Sequence, residues 1–158
     1  MAAAVPHRVD LDAVDRQLLR MLQGDGRTSY AAMAAQVGLS APAVRLRVQR
    51  LQEAGVLQVV AVTDPIALGY PVMALVAVTV SGDVRAVADA LGAIENVIYL
   101  VLTSGEQDLL VEVVCRSNDE LLEVVNDAIR AVAGVVSVRV SPYYGIHTHR
   151  FTWGVPEP

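Results

Sequence analysis

The chain has 158 residues and a net charge of −5, room for one ordinary domain or two small ones and too little for a large multidomain enzyme. Its twelve basic residues are all arginine, which with the many Ala and Val reads mainly as biased base composition but favours planar, bidentate contacts. The single cysteine, Cys115, excludes an internal disulfide, MAAAVPHRVD lacks the apolar core of a secretory signal and no stretch reaches the ~18 apolar residues of a membrane span, so the expected compartment is the cytoplasm.

Charge divides unevenly: seven arginines face six acids up to Asp64, and five face eleven beyond it. The two parts read as different modules. In the first, Leu11, Val14, Leu18 and Leu22 recur at helical spacing, with Asp12 and Asp15 where a helix N-terminus favours negative charge. Gly24 and Gly26 end that helix. Tyr30, Met33, Ala34 and Val37 predict a second, shorter helix that starts near Ser29 and stops at Gly38. Gly38-Leu39-Ser40 is a tight turn whose serine caps a third helix, with Pro42 in its first turn and Val44, Val48 and Leu51 as its buried stripe. Two helices across a short turn make a helix-turn-helix pattern. The β-branched run VLQVVAVT that follows suits the small hairpin of a winged version.

DPIALGYP, with two prolines and a glycine, marks the linker. After it come a strand (VMALVAVTV), a helix (VRAVADAL), two strands (VIYLVL and LLVEVV) around TSGEQD, a helix (LLEVVNDAIRAV) and a last strand (VVSVRV). Ser117 and Glu120 supply a capping box for the second of these helices. The order β-α-β-β-α-β is the ferredoxin-like arrangement. The expected fold is therefore α+β: a winged helix-turn-helix domain over 1–62, a linker over 63–71, and a ferredoxin-like domain with a C-terminal tail over 72–158. Strands apolar on both faces imply helices on one side of the sheet and a second copy of the chain on the other.

With Val44, Val48 and Leu51 turned inward, Pro42, Arg45, Leu46 and Gln49 of AVRLRVQRLQ point outward and Arg47 and Arg50 lie on the flanks. On such a helix Arg45 and Gln49 suit base edges in the major groove, and flanking arginines suit phosphates. The plainer alternative is a solvated face with Arg47 tied to an acid of the first helix. The turn GEQD has two readings as well: a solvated hairpin loop, or a site where glycine-freed amides take the carboxylate of an amino acid and Asp108 its ammonium. His147 and His149 share a strand face, but no third ligand is evident and no metal is expected. Cys115 lies in an apolar run with no histidine in a motif beside it, so no catalytic residue and no cofactor is expected.

The motifs L-D-x-x-D, D-G-R, V-G-L-S, R-L-x-x-x-G, L-G-Y and G-x-x-D stand in this order between Val9 and Tyr143. In that combination the chain resembles the leucine-responsive and asparagine-responsive regulator family, Lrp/AsnC. The resemblance implies a sequence-specific transcription regulator of double-stranded DNA, modulated by a small-molecule effector that is an amino acid. It also implies a homodimer formed through the sheet, assembled into an octamer or similar ring. DNA contact then falls on Ser40, Arg45, Arg47, Gln49 and Arg50. Effector contact falls on Thr103, Ser104, Gly105, Glu106, Gln107 and Asp108, completed by Ser137 of a neighbouring dimer. Two features depart from the family pattern: Ala41 and Leu46 stand where members often carry proline and a basic residue, and the tail HTHRFTWGVPEP lacks the usual closing strand. Two other functions remain open: a DNA-compacting protein without ligand, and an enzyme resembling the sirohaem decarboxylases, which share the fold and would use His147 and His149.

Overall fold

The computed structural model describes residues 9–150 and 154–155, which form two compact units, one made of the chain up to Val62 together with the segment from His149 and one spanning Thr63–Thr148. The first unit holds three helices, α1 (Ala13–Gly24), α2 (Tyr30–Val37) and α3 (Ala41–Glu53). Each starts on a side chain that satisfies freed amides. Asp12 and Asp15 form a reciprocal capping box on α1, Ser29 Oγ accepts from the Ala32 amide, and Ser40 Oγ accepts from the Ala43 amide. Between α2 and α3, Gly38 adopts a left-handed φ of 69°, a conformation that costs a side-chain-bearing residue about 1–2 kcal/mol. The turn therefore stays tight and points α3 away from α2. Leu18, Leu22, Met33, Val44, Val48 and Leu51 close the core.

Two expectations for this unit change. Among the described residues no strand forms in VLQVVAVT; a hairpin needs two runs, and the prolines of DPIALGYP follow at once, leaving Val59, Val60 and Val62 exposed. The tail, expected to belong with the sheet domain, instead places Val155 against the helical core, with the Gln23 amide nitrogen 3.5 Å from the Gly154 carbonyl. The rest of that closing segment, 151–153 and 156–158, lies outside the described residues, as does 1–8.

The linker is an ordered turn. The amides of Leu68 and Tyr70 donate to the carbonyls of Asp64 and Pro65, at 3.2 and 2.9 Å. The second unit then runs β1 (Val72–Val80), α4 (Val84–Gly92), β2 (Val97–Leu102), β3 (Leu109–Cys115), α5 (Asn118–Glu123), a π-helical stretch (Val124–Ile129) and β4 (Val135–Tyr143). The sheet order is β2-β3-β1-β4 and every pairing is antiparallel. Alternation along β1 sends Ala74, Val76 and Val78 to the helix-covered core with Val87, Leu91, Val111, Leu121 and Ile129. The opposite face carries Leu75 and Tyr99, which stay exposed.

The helix expected as one piece is α-helical at its start and π-helical after Glu123, where the Arg130 amide reaches back five residues to the Val125 carbonyl. Only half of its capping box forms. Ser117 Oγ takes the Glu120 amide, but the Glu120 carboxylate takes the Arg116 amide and, at 3.1 Å, the Asn96 side chain. Gly134 has a φ of 96°, and a Cβ there would lie 2.9 Å from Val87 Cγ2.

Candidate functional site

The arginines of α3 divide into two kinds. Asp15 is fully buried, a position where a bare carboxylate is costly unless paired and hydrogen-bonded. Its two oxygens accept from Arg47 Nη1 at 2.9 Å and Arg50 Nη2 at 2.5 Å, and Arg47 also reaches Asp12 at 2.6 Å. The Asp15 amide first, and the Arg47 guanidinium second, hold the Asp12 carboxyl below its ordinary range. Arg47 and Arg50, expected on phosphates, are thus turned onto α1. In the sequence Asp15 stands as a helix-dipole partner and as one of the first-helix acids within the alternative reading of Arg47; its burial and its bond to Arg50 are additional. Its i+3 and i+4 relation to Leu18 and Leu19 is the available sign that it faces inward.

Arg45 is exposed and makes no ion pair among the described residues. Gln49 lies one turn further on the same face and is exposed, as are Pro42 and Leu46. Ser40 is spent on the cap, although its turn remains exposed.

A second candidate site lies on the open face of the sheet. A pocket of about 300 Å³ is lined by Ala77, Thr79, Glu106, Gln107, Ser137, Val138 and Arg139. Period-two alternation brings Ala77 and Thr79 of β1 beside Ser137 and Arg139 of β4, through the pairs Ala77↔Arg139 and Thr79↔Ser137. The β2–β3 turn supplies Glu106, whose carboxylate lies 3.3 Å from Arg139 Nη2. Ser137, expected from a neighbouring dimer, lines the same pocket as Glu106 and Gln107 of its own chain. Thr103, Ser104, Gly105 and Asp108 do not line this pocket; they shape the turn beside it.

Asp108 differs most from expectation. Register shifts between Thr79 and Val80, and Asp108 Oδ2 accepts the Val80 amide at 2.7 Å. Its own amide donates to the Val78 carbonyl at 3.0 Å, and its carbonyl accepts from the Thr103 amide at 2.8 Å. Thr103 Oγ1 also donates to the Gln107 carbonyl. The carboxylate therefore ties the turn to β1 through one oxygen, and the charged side chains that line the pocket are Glu106 and Arg139, paired with each other. Arg139 was missed because VVSVRV reads as a core strand and its partner lies 33 residues away.

Cys115 is buried, and burial pushes its thiol up to about 11, with Glu120 adding to the shift. Among the described residues no group of three His, Cys, Asp or Glu side chains is arranged to hold a metal ion. His147 Nδ1 instead lies 3.0 Å from Thr148 Oγ1.

Both units match known family models: residues 11–52 an AsnC-type helix-turn-helix domain, and residues 73–150 an Lrp/AsnC ligand-binding domain. The leucine-responsive regulatory protein of Rhizobium meliloti is 34% identical over 137 residues, covering 84% of this chain and 88% of that protein. The chain belongs to the Lrp/AsnC family. It is a transcription regulator with a helix-turn-helix DNA-binding domain followed by a ligand-binding domain. Among solved structures of Lrp/AsnC proteins, the leucine response regulatory protein of Mycobacterium tuberculosis superimposes with a TM-score of 0.83 at 32% identity, covering 92% of this chain and all of that one (100%). A feast or famine regulatory protein of M. tuberculosis, complexed with L-methionine, gives 0.82 at 30% identity and covers 93% and 100%. No helix among the described residues is long and apolar enough to cross a membrane.

Proposed function

We propose that this Lrp/AsnC regulator changes its DNA occupancy in response to a free amino acid held in the sheet pocket. The observation that carries the reading is the Glu106–Arg139 pair, opposite charges 3.3 Å apart at the mouth of a small cavity. Both side chains are exposed, so their mutual attraction is worth only about 0–1 kcal/mol and is easily exchanged. A zwitterion offers more: its carboxylate takes the Arg139 fork, its ammonium takes Glu106, and the Thr79 and Ser137 hydroxyls and the Gln107 amide stand by for remaining polar atoms. The volume lies at the lower end of the ~300–1,000 Å³ of small-molecule sites, which suits one amino acid. The likeness to the regulator complexed with L-methionine supports the same class of ligand.

On DNA, α3 enters the major groove with Arg45 and Gln49 against base edges. Two copies of the chain pair through the open sheet face that leaves Leu75 and Tyr99 in water, and pairs assemble into a ring. Ligand binding at the edge of that face biases one arrangement of copies over another, since equal affinity for both would shift nothing.

A thermal-shift screen of the twenty amino acids tests the ligand. A ligand at 100 times its Kd stabilises by about 2.7 kcal/mol, so at least one amino acid should raise the melting temperature of the parent and none that of Arg139→Ala. No shift with any amino acid would favour a DNA-compacting protein without effector.

A further inference from the structure

Leu46 is 69% exposed in the middle of α3 and belongs to neither hydrophobic cluster. With the other face of the helix packed by Val44, Val48 and Leu51, this leucine is open to a partner outside the unit. Its neighbours narrow the choice. Pro42 and Gln49 lie one turn to either side, at i−4 and i+3, and Arg45 adjoins it. This outer surface carries the unpaired Arg45 and, at i+4 from Leu46, Arg50, which stays exposed although paired with Asp15, and no carboxylate; the only acid of α3 is Glu53 at its far end. An apolar contact beside a single unpaired arginine and an amide fits a polyanion with apolar points along it better than an apolar protein surface.

We propose that Leu46 reads the C5-methyl group of a thymine in the major groove. The proposal rests on α3 being the base-reading helix. In that groove thymine alone among the four bases presents a methyl group, and aliphatic side chains contact it while arginine and glutamine take hydrogen-bonding edges. Leu46 adds apolar selection to a face that otherwise reads only donors and acceptors. A helix rises about 1.5 Å per residue and B-DNA about 3.4 Å per base pair, so Arg45 and Gln49 span about two base pairs. The thymine read by Leu46 therefore lies within two base pairs of the base read by Arg45.

The test begins with selection of duplexes from a randomised library by the full-length protein. Each thymine of the selected site is then replaced by deoxyuridine, which removes only the methyl group, and affinity is measured for the parent and for Leu46→Ser. Leu46 supports nothing in the core, so this variant folds. The parent should bind about fourfold more weakly when one particular thymine in each half of the site loses its methyl, the loss expected for about one buried methyl group. Leu46→Ser should show no such dependence and should accept cytosine at that position better than the parent does. A flat deoxyuridine scan in the parent, or a methyl dependence that persists in Leu46→Ser, overturns the proposal. So does a change in oligomeric mass on Leu46→Ser, measured by light scattering, with the scan unaltered, because Leu46 then meets protein. Failure to enrich any sequence is a different result: it refutes base reading by α3 itself.

Discussion

Replacing Arg47 by Met keeps much of the side-chain length but leaves the buried Asp15 carboxylate with Arg50 Nη2 at 2.5 Å and the Asp12 amide at 3.3 Å as its remaining partners. Removing one member of a buried ion pair costs about 3–5 kcal/mol, because the other charge is left uncompensated. With Arg50 still in place the expected loss is about 2–4 kcal/mol, a large share of the 5–15 kcal/mol that holds a typical domain folded. Asp15→Leu combined with Arg47→Met should recover part of that loss, giving a coupling of about 1–3 kcal/mol in a double-mutant cycle. Native-state hydrogen exchange at the Leu18, Met33 and Val44 amides reports the first unit without requiring the whole chain to unfold in two states. Arg45→Met is the control and should stay within about 0.5 kcal/mol of the parent. If Arg47→Met also stayed within about 0.5 kcal/mol while binding to every DNA sequence weakened, Arg47 would be a phosphate anchor and the bracing argument would be wrong.

Gly134→Ala should destabilise the sheet domain by about 2–4 kcal/mol in urea unfolding, since it forces a side chain into positive φ and against Val87; a neutral result would mean that the β4 approach relaxes freely. Asp12 is held below its ordinary value of 3.8, so its contribution is present above that value and is lost as pH falls through the lowered one. Exchange protection of α1 should therefore drop below about pH 4, and less steeply in Arg47→Met. Cys115, buried and shifted to about 11, should react with a thiol reagent at pH 8 only after denaturation; prompt reaction in the native protein would show that β3 opens readily.

The sequence exposes those parts of the fold that rest on local chemistry. Ser29, Ser40 and Gly38 mark helix ends because caps and left-handed turns demand few residue types, and the alternation in VMALVAVTV marks β1 because its period is two. Features requiring distant partners were hidden. Asp15 reads as a solvated first-turn acid until α3 brings Arg47 and Arg50 over it, residues 32 and 35 positions away. Asp108 reads as a ligand contact until the register shift in β1 frees the Val80 amide. The pocket itself exists because β4 pairs with β1, a non-local event that places Arg139 opposite Ala77. VLQVVAVT was misleading for a related reason: β-propensity expresses itself only where a second strand is available.

We propose that an amino acid held in the sheet pocket by Arg139 and Glu106 governs what α3 does on DNA. Fluorescence anisotropy of a selected duplex, titrated with the full-length protein with and without the stabilising amino acid, tests it in one experiment when parent and Arg139→Ala are compared. The amino acid should shift the apparent Kd of the parent, by about 5–150-fold for a coupling of ordinary size, and leave Arg139→Ala unmoved at the parent's ligand-free affinity. An Arg139→Ala protein that responds to the amino acid as the parent does would contradict the proposal.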